Sequence, residues 1–157
     1  MIELFARAES VFDEEAHICR PLHLGEEISS LSAILLNTDY YDLLLTGKTI
    51  LSDVPVLPNT YLVLFKAKAW IDLTERKAAG QKIDDKDIRK HKNDVARLAA
   101  LLTGNETCEL TEGVHEDMVK FIMAFENEPP DMKSLGIAVV TSDDITDLLK
   151  RIYLGGN

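Results

Sequence analysis

The apolar run YLVLFKAKAW, residues 61–70, contains a lysine whose position raises a question of chemistry. If the run is helical, Lys66 lies about 40° from Leu62, on the same face as the apolar side chains, whereas Lys68 lies about 240° from it, where a solvated charge is expected. Lysines are rarely buried without a partner, because desolvating the charge costs free energy. Two interpretations are open: the Lys66 stem follows the core while its ammonium reaches water, or Lys66 belongs to a functional polar cluster.

The next helical pattern repeats this feature with a histidine. Measured from Ile88, His91 lies at about 300°, among apolar positions, and Asp94 at about 240°, beside them. An isolated histidine in such a place is usually a satisfied core residue, and Asp94 can pair with a surface lysine. A helical hairpin that places Lys66 on one inner face and His91 with Asp94 near the other nevertheless predicts a polar cluster in dry surroundings, which is typical of functional sites.

Long helices are predicted for the residues that hold this cluster. The pattern indicates helices over about 60–79, from 84 or 85 to 102, over 112–125 and over 142–153, with Asn59 as the N-cap of the first and Gly80 at its C′ position. The short link GQKID between the first two predicts an antiparallel pair. The C-terminal two thirds is therefore expected to be a bundle of about four helices.

The N-terminal part has a mixed pattern. Extended segments are predicted at 1–7, 17–25, 28–36 and about 53–57, and a short helix, preceded by the capping residues Asn37-Thr38-Asp39, is expected to end at Gly47. We therefore predict an α+β fold, with short mixed strands followed by a mainly helical bundle. Residues 1–157 are expected to form a single domain, with a strand-rich part at 1–58 and a helical part at 59–157.

Charge is unevenly distributed along the chain. The net charge is -10, which argues against coating of nucleic acid by bulk attraction. Residues 66–97 hold ten Lys and Arg against six Asp and Glu, a net of +4, which leaves 7 basic and 21 acidic residues elsewhere, a net of -14. A basic middle thus lies between acidic flanks, although surface helices also drift to either sign by chance.

Composition indicates an ordinary globular protein. No apolar run approaches the roughly 20 residues that cross a bilayer, and no secretion signal is recognisable, so a cytoplasmic protein that does not bind membranes is expected. Cys19 and Cys108 have neither CxxC spacing nor a histidine placed as a zinc ligand would be, which predicts reduced, structural cysteines. P-loop, GxGxxG, HExxH and GxSxG patterns do not occur.

The stretch around these helices resembles a known bacterial family. Over about residues 55–103 the sequence is similar to the C-terminal half of the AbiEii-type nucleotidyltransferases, DNA-polymerase-β-like toxins of type IV toxin-antitoxin and abortive-infection systems. Members carry an apolar run that ends in lysine, a nearby arginine, and a basic residue with aspartates that opens an apolar helix. The matching positions are Lys66, Arg76 and the run Lys90-His91-Lys92-Asn93-Asp94.

The resemblance implies specific roles for these side chains. Lys66 would hold the phosphates of a nucleoside triphosphate as a point charge, and Asp94 would orient it. Arg76, Lys90 and His91 would join it in binding the nucleotide. The reaction implied is transfer of a nucleotidyl group to a hydroxyl acceptor, with an RNA end as a possible substrate and an antitoxin as a possible protein partner.

A metal role is also implied at the N-terminus. In this superfamily a strand with one acidic residue between apolar neighbours supplies the third metal-binding carboxylate, and Ile2-Glu3-Leu4 has that form. Glu3 would then bind Mg²⁺, which prefers hard oxygen ligands and bridges the triphosphate during in-line attack. Most acidic residues in such strands are exposed edge residues, which is the alternative for Glu3.

The first signature of the family is missing. Its Gly-Ser or Gly-Gly turn, followed by a strand with two carboxylates in D-x-D spacing, has no counterpart before Gly155-Gly156, and the only D-x-D, Asp85-Lys86-Asp87, lies at a predicted helix start. Two metal ligands would be lacking, so the resemblance implies the C-terminal portion of a nucleotidyltransferase-like protein that is inactive as this chain. Mg²⁺ and a nucleoside triphosphate are the cofactors implied for an active protein, and the absence of any cofactor is the alternative for this chain. The alternative function is a non-catalytic, helical protein-interaction module.

Overall fold

The computed structural model describes residues 37–155 and, before them, the backbone of strands at 4–7, 20–22 and 31–36. The fold is α+β and mainly helical, with short N-terminal strands, as the sequence predicts. The chain forms two compact units, residues 1–46 and 47–157. This division precedes the expected boundary between strand-rich and helical parts at residue 58, so a short hairpin belongs to the helical unit.

The first unit contains a three-stranded sheet, with strands β1 (Leu4–Arg7), β2 (Arg20–Leu22) and β3 (Leu31–Leu36) in the order β1-β3-β2. Strands β1 and β3 are parallel, with Leu4 opposite Ala33, while β2 and β3 are antiparallel, with Arg20 opposite Ala33. Each strand lies within a segment for which an extended conformation is predicted.

Helix α1 (Thr38–Gly47) follows the third strand. The backbone N–H of Tyr40 donates to Asn37 Oδ1 at 3.0 Å, so Asn37 supplies the capping oxygen that the sequence predicts. The helix ends at Gly47, as expected. A Cβ at this position would overlap the ring of Tyr61, which explains why glycine fits there.

The second unit opens with an antiparallel hairpin of strands β4 (Thr49–Leu51) and β5 (Val54–Val56). Its turn residues, Ser52 and Asp53, have positive φ angles of 49° and 63°, the conformation of the two-residue type I′ turn that matches strand twist. The predicted strand at 53–57 covers β5 but misses β4. The sequence pattern does not predict this turn, because Ser52-Asp53 lacks the glycine that usually marks such turns.

Four long helices make up the rest of this unit: α2 (Asn59–Ala78), α3 (Asp85–Ala99), α4 (Glu112–Asn127) and α5 (Ser142–Tyr153). Their bounds agree with the predicted helices within one residue, except that α3 ends three residues before Leu102 and α4 ends at Asn127, two residues after the predicted end at 125. Lys77 near the end of α2 forms an ion pair with Asp85 at the start of α3. Trp70, two turns earlier in α2, lies under Lys92, two turns later in α3. Pairing of late with early positions confirms the antiparallel arrangement of α2 and α3.

Helix ends largely follow capping chemistry. The predicted cap at Asn59 is wrong: Asn59 is already helical, and Pro58 precedes it without a side-chain bond. Asp84 accepts from the Lys86 N–H at 2.9 Å and so caps α3. A reciprocal pair caps α5, because Thr141 accepts from the Asp144 N–H at 3.1 Å while the Asp144 carboxylate accepts from the Thr141 N–H at 2.9 Å.

The core lies where α2 packs against α3 and α4, and α5 packs against α3 and α4. Phe121 of α4 makes an edge-to-face contact with Trp70, with ring centroids 5.5 Å apart, and also contacts Phe125. The Tyr153 hydroxyl donates to the Thr60 carbonyl at 2.6 Å, which joins the end of α5 to the first turn of α2. Fully buried core side chains include Val63, Leu64, Val95, Phe121, Phe125, Ile145 and Leu149.

Candidate functional site

The predicted cluster lies on the seam between α2 and α3. Lys66 and His91 are both half-buried. Burial lowers the pKa of His91, the charge of Lys66 lowers it further, and Asp94 acts in the opposite direction. The structure therefore brings both Lys66 and Asp94 into electrostatic range of His91, and it favours a neutral imidazole.

His91 has an unsatisfied nitrogen. Its Nδ1 is buried and has no hydrogen-bond partner within the described residues. A buried polar atom without a partner costs free energy, and such atoms often mark a ligand or ordered water. Trp70 Nε1, on the same seam, is likewise buried without a partner among the described residues, so packing alone does not explain either atom.

The other predicted site residues have their own contacts or are exposed, although the charges of Asp94 and Lys90 still act on His91. Arg97 Nη1 donates to Asp94 Oδ1 at 3.3 Å, one turn along α3. Arg76 Nε donates to Gln81 Oε1 at 2.8 Å, beyond the end of α2, and Lys90 is exposed. Asp94 and Arg76 thus have local structural bonds that the sequence pattern did not indicate.

The expectation that Lys68 is solvated is wrong. Its ammonium lies 3.1 Å from Asp117 of α4 and 3.2 Å from Asp72, with the side chain 26% exposed. Burial lowers the pKa of Lys68, but the two carboxylates outweigh burial and raise it overall. The reason is that α2 packs against both α3 and α4, so the face of α2 opposite the predicted apolar stripe is covered too.

Lys92 is a buried cation, although the family resemblance indicates only its membership of the Lys90–Asp94 motif. It is 7% exposed, and its Nζ donates to the Glu128 carbonyl at 2.8 Å and to Glu128 Oε2 at 3.1 Å. The same Nζ lies 5.5 Å from the centroid of the Trp70 ring, a cation–π distance. On the helical wheel Lys92 lies about 40° from Ile88, so the rule applied to Lys66 would have found it.

Glu3, the proposed metal ligand, lies outside the described residues. Among the residues that are described, no group of three or more His, Cys, Asp and Glu side chains is placed to hold a metal ion.

Cys108 is a half-buried free thiol, and Cys19 lies outside the described residues. Burial raises the pKa of the Cys108 thiol, partly offset by a hydrogen bond with Tyr61. A protonated thiol is a poor nucleophile, so this arrangement favours a structural role.

The β4–β5 hairpin forms a second candidate site, and its apolar side chains are exposed. Ile50 is 64% exposed, Leu51 67% and Val54 56%. In the register of the hairpin Leu51 lies opposite Val54 on one face, while Ile50 lies opposite Pro55 on the other. Exposed apolar groups thus occur on both faces of the same two short strands.

Comparison of the chain with protein-family models, with curated proteins and with solved structures gives no match. The similarity to AbiEii-type nucleotidyltransferases therefore depends on the sequence motifs alone. Within residues 37–155, none of the helices is both long enough and apolar enough to cross a bilayer.

Proposed function

We propose that this chain is a protein-interaction module that binds its partner through the β4–β5 hairpin. The observation that carries the proposal is the exposure of Ile50, Leu51 and Val54, each more than half accessible and all within one short hairpin. Elsewhere in the described part of the chain, the large apolar side chains exposed to this extent are far apart in sequence: Leu101, Met123 and Val139. Leu51 and Val54 lie opposite each other on one face and Ile50 lies on the other, and clustered exposed apolar groups are typical of interaction surfaces. An isolated two-stranded hairpin is also only marginally stable in water, so a partner that covers it would stabilise it.

The charged residues of the bundle support a non-catalytic function. Lys68 is held by Asp117, Lys92 by the end of α4, and Asp94 by Arg97. Each of these contacts has a structural consequence, because it joins two helices or two turns of one helix. Among the residues to which the sequence assigns chemistry, this accounts for Asp94, whereas His91 keeps a buried nitrogen without a partner.

Site-specific photo-crosslinking tests this proposal. A photoreactive side chain placed at Ile50 should give a discrete crosslinked product in native cells, whose composition mass spectrometry then determines. The matched control is the same side chain at Glu116, which is exposed on α4. Equal labelling at the two positions, or none at either, would contradict a hairpin-directed interaction.

A second candidate function is nucleotide binding at the α2–α3 seam, as in an inactive nucleotidyltransferase-like protein. It is favoured by one observation, the buried Nδ1 of His91 without a partner beside the charge of Lys66. A phosphate oxygen is a suitable ligand for the lysine ammonium. The basic stretch 66–97, net +4, would attract a triphosphate or an RNA end.

Binding of nucleoside triphosphate in the presence of Mg²⁺, followed by calorimetry, tests this second candidate. Binding should be lost in Lys66→Ala and retained in Lys120→Ala, an exposed α4 lysine outside the seam. Lys68→Ala is unsuitable as the control because Lys68 holds the buried Asp117. Absence of binding by the unmodified chain would dismiss this candidate without affecting the first.

A further inference from the structure

The register of the hairpin determines which backbone groups face outward. In a hairpin with a two-residue type I′ turn, the pair that flanks the turn, Leu51 and Val54, exchanges hydrogen bonds, and pairs then alternate along the ladder. Thr49 and Val56 are therefore the next bonded pair, in agreement with the contact of 3.4 Å from Thr49 Oγ1 to the Val56 carbonyl. The backbone N–H and C=O of Ile50 consequently point away from β5.

The two outer edges of the hairpin are unequal. Ile50 presents an N–H and a C=O on the edge of β4. The corresponding residue on β5 is Pro55, which has no N–H to donate and so blocks strand pairing on that side. Proteins commonly protect exposed strand edges with proline, and here only one of the two edges is protected.

The open edge carries charges of opposite sign at its two ends. Lys48 directly precedes β4, and Asp53 lies in the turn that follows it; both are exposed. Residues 48–56 carry one positive and one negative charge, so this segment is neutral, unlike the chain as a whole at -10. An antiparallel second copy of β4 would bring each Lys48 to the Asp53 turn of the other copy, whereas a parallel copy would place like charges together.

From these observations we infer that two copies of the chain associate through their β4 strands, antiparallel about a two-fold axis at Ile50, to form a four-stranded sheet. Ile50 of one copy exchanges backbone hydrogen bonds with Ile50 of the second, and Lys48 lies beside Ser52 and Asp53 of the other copy. A surface that is complementary to itself in this way is the requirement for a two-fold dimer. The inference rests on the proposed interaction function and identifies its partner.

The interface predicted here is small. Strand addition at an edge gives affinity mainly through main-chain hydrogen bonds, and a single pair of short strands belongs to the weak class of interfaces. Sedimentation velocity should therefore follow the chain up to about 1 mM. A reversible monomer–dimer equilibrium is expected in this range, and a chain that stays monomeric throughout would overturn the inference.

Two charge variants test the antiparallel register. Lys48→Glu alone, or Asp53→Lys alone, places like charges together twice in the dimer, so self-association of either should weaken on the order of tenfold. An equimolar mixture of the two variants creates opposite charges at both contacts and should restore association. If the mixture associates no better than the separate variants, the register is wrong.

A third variant tests the strand edge itself. Ile50→Pro removes an N–H that the hairpin does not use, so the helical circular dichroism signal should be retained while association is lost. Retained association in this variant would overturn the β4-edge contact. It also provides a test if a charge variant fails to fold.

The crosslinking experiment separates failure of this inference from failure of the proposed function. A product from position 50 with twice the mass of the chain supports self-association. A product that contains a different protein retains the interaction function but overturns the second copy as its partner. No product above the Glu116 control contradicts both.

Discussion

The helical bundle and the β4–β5 hairpin differ in the burial of their apolar side chains. In the bundle, Phe121 and Phe125 are fully covered, and Lys92 lies over an aromatic ring and bonds to a helix end. In the hairpin, three apolar side chains are more than half exposed. The buried core of this unit therefore lies in the bundle, and the exposed apolar side chains of the hairpin are the basis on which we propose an interaction there.

Truncating one apolar side chain in each region should give the largest contrast in stability. Phe121→Ala removes a ring that contacts Trp70 and Phe125 inside the core, and the lost burial and the cavity should cost about 3–5 kcal/mol. Ile50→Ala removes an exposed side chain and should change the free energy of unfolding of the monomer by about 0.5 kcal/mol or less. Urea denaturation of dilute protein measures both values. Comparable losses would show that the hairpin belongs to the folding core.

The buried ion pair between α2 and α4 should give the next largest effect. Asp117→Ala removes the α4 carboxylate that lies 3.1 Å from the half-buried Lys68 ammonium, and the free energy of unfolding should fall by about 2 kcal/mol. This loss is smaller than for a fully buried pair, because the Lys68 side chain is 26% exposed. Asp147→Ala, an exposed aspartate on α5, is the matched control and should have little effect. A similar loss in both variants would mean that net charge, not the contact with Lys68, matters.

The helices were predictable from sequence because periodicity, caps and breakers agree. The bounds of α5 were predicted to the residue, and those of α2 within one residue at each end. The environment of Lys68 was not predictable in the same way. One helical wheel shows which side chains share a face of the helix, but it does not show how many neighbouring helices cover that face. The α4 carboxylate that meets Lys68 comes from another element, 49 residues later, at Asp117.

The candidate sites illustrate the same limit. The neighbourhood of Lys66 and His91 follows from two wheels and a short link, and the structure brings them together. The separate bonds of Asp94 and Arg76 depend on side-chain conformations that spacing does not determine. The open edge of β4 follows from the strand register and from Pro55. The register could not be predicted from the sequence, because it depends on a turn at Ser52 and Asp53 that has no glycine to mark it.

A smaller effect is expected at the contact of Lys92 with the end of α4. Lys92→Ala loses hydrogen bonds to the Glu128 carbonyl and carboxylate together with the cation–π contact with Trp70. The free energy of unfolding should fall by about 1.5 kcal/mol, the lower end of the range for hydrogen bonds to charged groups, because the Glu128 side chain is exposed. Lys90→Ala, two residues earlier and exposed, should stay within about 0.5 kcal/mol. Thermal unfolding monitored by circular dichroism compares the two.

The smallest effect should be a pH dependence that belongs to the bundle and is absent from the hairpin. The pKa of His91 is lowered in the folded chain, by burial first and then by Lys66, so the full contribution of a neutral His91 is present above its unfolded pKa of about 6.5. Stability should decrease as the pH falls from about 6.5 towards the lower folded pKa, because the unfolded chain then binds a proton that the folded chain resists. His91→Gln should reduce the dependence of the unfolding free energy on pH, measured by urea denaturation at a series of pH values. If the substitution leaves this dependence unchanged, another titratable group is its source. Residues 48–56 contain no histidine, so self-association through β4 should stay constant over the same pH range while the stability of the bundle changes.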